Sequence, residues 1–377
     1  MVDPPRFSQD TVAPSRLEGL DLARALAVFG MVVVNFEVVL VAAGSGPGWL
    51  AELTGLLHGR AAATFVVLAG MGVSLLSRWA RESAERAPLL RARGTLLRRA
   101  LLLFVVGALY TPIWPADILH FYGLYLACAV LLLRAPSSRL WAFAIATTLA
   151  APLLLVTLDY EAGWDWATLE YEGLWTPAGA LRHLFFNGFH PVVPWLAFLL
   201  VGMALGRLEL AATRVRRRLL LWGAASAAVA ELGSRLFIAM FAEAVGDAER
   251  EGLEALLGTA PMPPALLFVV AGTGTACAVI GACLSAAGRW GRSRWMGPLL
   301  ATGRLALTLY VAHVVVGMGS LEALGWLEGR SRAFALGAAI AFCVGAVLFS
   351  QLWSLRFERG PLEALLRKLS SPRSPEG

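Results

Sequence analysis

The chain has 377 residues, of which 58% are hydrophobic and only 15% are charged, and its mean hydropathy is +0.67. Soluble domains carry roughly 25% charged residues, so this composition excludes a soluble protein, and it excludes a disordered chain as well. A net charge of +6 would suggest nucleic-acid binding in a soluble protein, but in a membrane protein basic residues set the orientation. We therefore predict an integral membrane protein with no nucleic-acid partner.

Apolar segments recur along the whole chain. A helix that crosses a bilayer needs about 20 apolar residues, and ten segments approach or reach this length. They cover approximately residues 20–43, 58–77, 96–112, 117–134, 140–157, 189–206, 219–242, 264–286, 298–319 and 333–355. The pattern predicts an all-α polytopic membrane protein of about ten spans. It forms a single domain over residues 1–377, with short tails at 1–19 and 357–377.

The loops between these segments alternate in charge. Arginines are concentrated in every second loop, as in 78–99 and 214–218, whereas the intervening loops, such as 159–172, hold mainly acids. The same basic set includes Arg6, Arg16, Arg292 and Arg373. Because basic loops stay in the cytoplasm, the alternation predicts that both termini are cytoplasmic.

The four cysteines show neither a disulfide pattern nor a metal-site pattern. Cys128, Cys277, Cys283 and Cys343 all lie inside apolar segments, without Cys-x-x-Cys spacing and without a partnering histidine. We predict that they pack as small apolar side chains and that the protein holds no metal.

The first predicted span contains the polar residues Asp21, Arg24 and Asn35. At 100° per residue they fall within about 60° of one another, so they form one stripe about 21 Å long. Ionisable groups inside a membrane are costly, and such a stripe faces protein or water. In a purely structural interpretation, Asp21 and Arg24 form an i, i+3 ion pair and Asn35 bonds a neighbouring helix. Glu37 projects from the opposite side and needs a different partner.

Two features of the seventh and eighth spans predict helix packing. Glu231 and Arg235 have the i, i+4 spacing of an ion pair, and we predict that they neutralise each other. The small residues Ala271, Gly272, Gly274 and Gly281 predict a close approach of two helices, not a phosphate-binding loop.

All five histidines fall on the predicted outer side of the membrane. They are His58, His120, His183, His190 and His313. Three of them stand near the start of even-numbered spans, whose N-termini point outward and favour negative charge. Asp117 lies three residues before His120, at the spacing of an orienting acid. The pattern predicts a site on the outer side.

Short stretches spread over most of the chain carry a family resemblance. They are Leu20–Ala25 with Asn35, His58–Arg60 with Leu68–Gly70, Asp117–His120, Gly188–Pro191 with Gly202–Arg207, Gly303–Tyr310 with His313, and Phe357–Glu363. In this order they resemble the YeiB-like family of bacterial multi-span proteins. That family is similar to a wider superfamily of transmembrane acyltransferases, which includes heparan-alpha-glucosaminide N-acetyltransferase.

The resemblance implies a protein of the bacterial plasma membrane that passes an acetyl or other acyl group from cytoplasmic acyl-CoA to an outer acceptor. The acceptor is a sugar, a lipid headgroup or another small molecule. By position, the family's LDxxR element falls on Asp21 and Arg24, its first-helix asparagine on Asn35, and its ninth-helix histidine on His313. The expected catalytic residues are His313, His58, Asn35, Asp117 and His120, with His58 as the nearest substitute for a family histidine. The residues expected to hold acyl-CoA are Asp21, Arg24, Arg98, Arg99 and Arg304.

Two other functions fit the same residues. In a transporter or flippase, the outer histidines and Asn35 would line a solute path, with proton coupling through Glu37. In a membrane scaffold, the polar groups would only pair with one another. The lipid bilayer is a predicted partner in every case, and assembly into a homo-oligomer stays open.

Overall fold

The computed structural model describes residues 17–42, 46–242, 245–291, 293–327 and 329–371. The basic residues Arg6, Arg16, Arg292 and Arg373 lie outside this part, so their predicted role in orientation cannot be placed on the structure. The described chain is mostly helical, and its apolar helices make it a multi-pass membrane protein.

The N-terminal half contains nine α-helices, one π-helix and one short antiparallel hairpin within the described residues. Its elements are α1 (Glu18–Leu40), α2 (Gly48–Gly55), α3 (Arg60–Leu76), α4 (Arg78–Glu82), α5 (Arg86–Tyr110), α6 (Leu119–Leu132), α7 (Ser137–Thr157), β1 (Trp164–Asp165), β2 (Glu170–Tyr171), α8 (Pro177–Arg182), the π-helix His183–Asn187 and α9 (Val192–Leu205). The C-terminal half continues with longer helices. These are α10 (Thr213–Ala242), α11 (Asp247–Leu257), α12 (Leu266–Trp290), α13 (Met296–Arg304), α14 (Ala306–Ala312), the π-helix His313–Met318, α15 (Gly319–Ala323), α16 (Arg332–Ser354) and α17 (Pro361–Ser370).

All ten predicted segments fall on helices, but fewer of these helices qualify as spans by length and composition. Seven do so among the described residues, and a bent pair, Pro177–Asn187 with Val192–Leu205, would make eight. Neither α5 nor α6 is among them, because the first part of α5 carries five arginines and α6 has only 14 residues. The count of ten spans and the side of the termini stay predictions.

The sequence led us to expect loops at the arginine-rich stretches, but these stretches are mainly helical. Residues 86–99 form the first half of α5, and residues 214–218 form the first turns of α10. Arginine is a good helix former, so a helix can continue out of the apolar layer without a break.

The ninth predicted span, 298–319, is interrupted twice. The backbone leaves helical geometry at Leu305, between α13 and α14, and it widens to a π-helix from His313. Such π-turns inside a helix occur frequently at functional sites.

Helix α1 lies at the centre of the bundle, in contact with α3, α12, α13, α14 and α16. Close crossings depend on glycine. A β-carbon on Gly274 of α12 would lie 2.6 Å from the Ala227 nitrogen and 2.7 Å from the Gly223 oxygen, both on α10. The predicted close packing of the small residues in α12 is therefore confirmed.

Candidate active site

Two cavities lie on the two sides of the bundle's polar centre. The arginine pocket, of about 330 Å³, is lined by polar side chains that include Asp21, Arg24, Arg99, Tyr122, Arg304 and Glu363. The histidine pocket, of about 230 Å³, is lined by side chains that include Asn35, His58, Trp114, His190, Trp195 and Tyr310. Of the ten predicted site residues, the first pocket collects four and the second collects two.

A thin wall separates the two pockets. Ile118 lines the histidine pocket, and its neighbour Leu119 lines the arginine pocket. On α14, Tyr310 lines the histidine pocket, and Leu307, three residues earlier, lines the arginine pocket. Three residues of helix rise about 4.5 Å, so the wall is about one helical turn thick at this point.

The arginine pocket confirms the predicted local ion pair. The Nη1 of Arg24 donates to Oδ1 of Asp21 at 2.6 Å, and Asp21 is buried. Arg304 reaches the same pocket from the end of α13, and its buried Nε has no hydrogen-bond acceptor in the described part of the chain. Arg98, which we grouped with Arg99, is exposed and lines neither pocket.

Glu363 of α17 closes the wall from the arginine side. Its Oε1 accepts hydrogen bonds from the backbone nitrogens of Leu307 and Thr308 at 2.7 and 3.1 Å. Its Oε2 accepts one from the Thr308 hydroxyl at 2.6 Å. A carboxylate at this place caps the free N–H groups of α14, which begins anew after the break at Leu305.

Asn35 and His313 form a pair at the wall. The Nδ1–H of His313 donates to the Tyr310 carbonyl, which can only accept, so in the neutral ring Nε2 is unprotonated. The Asn35 amide donates to this Nε2 at 2.9 Å. His313 is fully buried and does not line the histidine pocket itself, whereas its partner Asn35 does.

His58 reaches the histidine pocket directly. Its side chain is 35% exposed, and its Nε2 lies 3.4 Å from Oε2 of Glu37. The other oxygen of Glu37 accepts from Nε of Arg332 on α16 at 2.5 Å. Glu37 projects away from the polar stripe of α1 and was therefore expected to have partners of its own. These are His58 and Arg332, and the contact with Glu37 orients His58.

Asp117 and His120 are buried inside the wall and line neither pocket. Oδ2 of Asp117 accepts from Nδ1 of His120 at 3.0 Å and from the nitrogens of Leu119 and His120 at 2.8 and 3.2 Å. Its Oδ1 accepts from the Tyr310 hydroxyl at 3.2 Å. Asp117 thus caps α6 and ties it to α14, so the positive end of α6 is already satisfied.

Three histidines gather around one phenylalanine. The rings of His120, His183 and His190 lie 4.0, 5.3 and 6.0 Å from the ring of Phe121. Three of the five histidines that the sequence assigned to one side of the membrane therefore lie together. The hairpin loop covers it, since Tyr171 stacks edge-on against His183 at 4.9 Å. Burial raises the pKa of the Tyr171 hydroxyl, which lies in this loop outside the spans.

The histidine pocket contains three buried nitrogens, of which the sequence pattern pointed only to the one on His190. Nε1 of Trp114, Nε1 of Trp195 and Nδ1 of His190 are buried without a hydrogen-bond partner in the described part of the chain. All three residues line the pocket. Each tryptophan lies in an apolar stretch, where the sequence gives no reason to prefer it over a packing residue.

The predicted pair of Glu231 with Arg235 is wrong. Glu231 instead accepts a hydrogen bond from the buried Arg60 of α3 and another, at 3.0 Å, from the Thr259 hydroxyl. Arg235 is exposed. A buried guanidinium needs an acid more than an exposed one does, and this decides the partner.

Among the residues that the structure describes, no three His, Cys, Asp or Glu side chains lie where they could hold one metal ion. The groups available for a ligand are therefore the arginines of one pocket and the histidines, amide and indoles of the other.

Comparison with known proteins adds the family. Residues 16–237 match the profile of the heparan-alpha-glucosaminide N-acetyltransferase catalytic family, and residues 205–373 match a protein family of unknown function, DUF418. A search of curated proteins gives no match. The first match covers more than half of the chain and includes α1, α3, α5, α6 and α9. The chain thus belongs to the heparan-alpha-glucosaminide N-acetyltransferase catalytic family, a family of transmembrane acetyltransferase-like proteins, and also carries the YeiB-like resemblance that its sequence motifs indicated.

Proposed function

We propose that this protein is a transmembrane acyltransferase that moves an acetyl or other short acyl group through the wall between its two pockets. The observation that carries the proposal is the thinness of this wall, about one helical turn between Leu307 and Tyr310. A donor on one side and an acceptor on the other would come within reach of each other. The acceptor is a sugar, a lipid headgroup or a small metabolite.

The arginine pocket fits an acyl-CoA donor. Arg24, Arg99 and Arg304 supply guanidinium groups, which match phosphate oxygens in pairs. The buried Nε of Arg304 lacks an acceptor, and an anionic ligand would provide one. When bound, acyl-CoA supplies an acyl group already activated as a thioester; transfer breaks the bond between the carbonyl carbon and the sulfur, and coenzyme A leaves as the thiol after taking up the proton that the acceptor loses.

The histidine pocket fits an acceptor that carries oxygen or nitrogen lone pairs. The free indole donors of Trp114 and Trp195 would hold it by hydrogen bonds, while the apolar lining excludes water. His58, held by Glu37, is placed to remove the proton from the attacking group. Asn35 would present its amide to the developing oxyanion, with His313 fixing its orientation from behind.

Direction and location follow from charge. Basic residues cluster at the arginine side, so we place this side in the cytoplasm, where acyl-CoA is made, and the histidine pocket on the outer side. The protein would then work in the bacterial plasma membrane.

Thermal unfolding of the purified protein with acetyl-CoA tests the donor site. A ligand at 100 times its Kd stabilises the folded state by about 2.7 kcal/mol, so Tm should rise by several degrees. Arg304→Gln should reduce this rise, whereas Arg98→Gln, an equal change of charge on an exposed side chain, should leave it intact. A flat response of folded wild-type protein at saturating acetyl-CoA contradicts the proposal.

The same protein in nanodiscs tests the acceptor site. We expect His58→Ala to abolish transfer of a labelled acetyl group to acceptors while retaining the rise of Tm with acetyl-CoA. A His58→Ala variant that transfers at the wild-type rate would remove His58 from the chemistry.

A transporter or flippase is the second candidate, because one span is broken. The two helices Pro177–Asn187 and Val192–Leu205 meet at 51°, and the break holds His190, which lines the histidine pocket. Transporters use discontinuous helices of this kind at their binding sites. Solute uptake by proteoliposomes without any acyl donor would favour this function over acyl transfer.

A further inference from the structure

A further cavity, separate from the histidine pocket, continues from the arginine pocket beneath α17. This space, the C-terminal cavity, has a volume of about 500 Å³. It shares Arg99, Arg304 and Glu363 with the arginine pocket and adds Arg359 and Arg367 from the segment after α16. The arginine pocket is therefore the inner part of a longer space whose far end is basic.

The charges of the C-terminal cavity are not balanced within the protein. Four arginines line it against two acids, Glu358 and Glu363. Both oxygens of Glu363 already accept hydrogen bonds from the start of α14. None of the four arginines forms an ion pair in the described part of the chain.

Two observations indicate an anion at this place. Arg99 and Arg367 line the same cavity, and like charges in one cavity repel each other, which an intervening anion would reverse. The buried Nε of Arg304 has no hydrogen-bond acceptor among the residues that the structure describes. A buried donor without an acceptor is costly, and oxygens of a phosphate would satisfy it while neutralising the cluster.

The added arginines do not come from the acetyltransferase resemblance. The match to that family ends at residue 237, whereas Arg359 and Arg367 lie within the match to the family of unknown function. The C-terminal cavity is consequently formed in part by the segment that matches the family of unknown function.

We propose that the C-terminal cavity is a phosphate subsite, in which Arg359 and Arg367 bind the phosphate groups of the donor whose acyl end lies in the arginine pocket. The inference rests on the proposed function and adds to it the part of the protein that selects a phosphorylated donor. A lipid headgroup at the same membrane face carries the same phosphate chemistry.

Calorimetric titration of the full chain in nanodiscs of zwitterionic lipid tests the subsite. The probes are coenzyme A and pantetheine, which lacks the phosphates. We expect wild type to bind coenzyme A at least about tenfold more tightly than pantetheine, and R359Q/R367Q to lose about tenfold for coenzyme A alone. The matched control is R356Q/K368Q, which removes two charges from the same segment outside the cavity.

The outcomes separate the two proposals. If R359Q/R367Q, with an unchanged Tm, binds coenzyme A as tightly as wild type, the subsite is refuted and acyl transfer stands. If wild type binds neither probe, the proposed function fails as well. If the double substitution weakens the binding of anionic lipid but leaves that of coenzyme A unchanged, the arginines hold lipid headgroups and the donor assignment is overturned.

Discussion

The carboxylate of Asp117 is fully buried, and both of its oxygens accept hydrogen bonds from protein groups. Its burial is explained by its role as the cap of α6 and by its bond to Tyr310, without any substrate. The same reasoning separates it from His58, whose ring is partly exposed in a pocket. Burial and complete hydrogen bonding therefore distinguish two groups among the predicted catalytic residues. Residues such as Asp117 stabilise the wall, and residues such as His58 are accessible to a ligand.

We predict that Asp117→Ala lowers stability and leaves donor binding intact. The change removes the acceptor of two backbone N–H groups, the His120 ring and the Tyr310 hydroxyl, which should cost roughly 3 kcal/mol. Asp117→Asn keeps one carbonyl oxygen and should lose less. Tm measurements and acetyl-CoA titration check this. A stable Asp117→Ala protein that fails only in acyl transfer would show that the carboxylate acts in the chemistry.

The pair of Arg60 and Glu231 yields a second prediction. Removing one partner of a buried ion pair leaves the other charge uncompensated, so Glu231→Ala should destabilise the protein by about 3–5 kcal/mol. The double variant Arg60→Met/Glu231→Leu should recover most of this loss. Arg235→Gln is the control and should have little effect. Equal losses in Glu231→Ala and Arg235→Gln, measured by Tm, would restore the local pair that the sequence suggested.

Sequence separation explains which pairs could be predicted. Asp21 and Arg24 are three residues apart on one helix, so their spacing alone brings them together. Arg60 and Glu231 are 171 residues apart, and only the packing of α3 near α10 makes them neighbours. The Asn35–His313 contact spans 278 residues, and no spacing rule could have predicted it.

At the level of whole helices, composition predicted where the helices lie along the chain better than it predicted where they end or break. Each apolar segment falls on a helix, because about 20 apolar residues have few other ways to satisfy their backbone in lipid. The breaks at Leu305 and His313 were not predictable, since the residues around them form an ordinary apolar pattern. Contacts from α17 fix the first break, and these depend on tertiary structure.

The close crossing of α10 and α12 gives an element-level prediction. In Gly274→Ala, the new methyl would meet backbone atoms of α10 at 2.6–2.7 Å, so the helices must separate, at a cost of about 1–3 kcal/mol. Gly337→Ala on α16 is the control, because a β-carbon there meets no atom within 4 Å. This control should be neutral or slightly stabilising. Similar unfolding temperatures for the two variants would contradict the close packing.

Across the whole molecule, the helices sort into a centre and a periphery. More than half of the apolar windows of α1 and α2–α3 is buried, against 17% for α7, 11% for α10 and 22% for α16. The peripheral helices expose large apolar residues such as Trp222 and Leu232, which lipid can cover. Both pockets lie at the central helices, so lipid and ligand contact different helices.

The topology gives the last prediction. The predicted even number of spans would put both termini on one side, and the basic clusters predict that this side is the cytoplasm. Fluorescent fusions at each end should both fold in the cytoplasm. A single cysteine at Trp175, in the loop above the histidine cluster, should react with an impermeant thiol reagent from outside. Labelling of this cysteine only after lysis would reverse the predicted orientation. Termini on opposite sides would disprove an even number of spans.

From the sequence, a site with its histidines on one side of the membrane could be predicted, since helix order and loop charge set the predicted side of each histidine. It could not indicate the two-pocket arrangement or the thin wall. These depend on where α14 turns and on how α17 docks against it, and both follow from contacts between residues far apart in the chain. Arg98 and Arg99 illustrate the difference, because adjacent residues on one helix point in different directions.

The ion pair between α3 and α10 also bears on how the protein is made. Ribosomes add roughly 5–20 residues per second, so the 171 residues between Arg60 and Glu231 take roughly 9–34 s to synthesise. Throughout this interval the guanidinium of α3 has left the ribosome before its acid exists. Helix α3 must therefore remain in contact with water, the insertion machinery or a chaperone during this time. It reaches its final position in the bilayer only after α10 has been inserted.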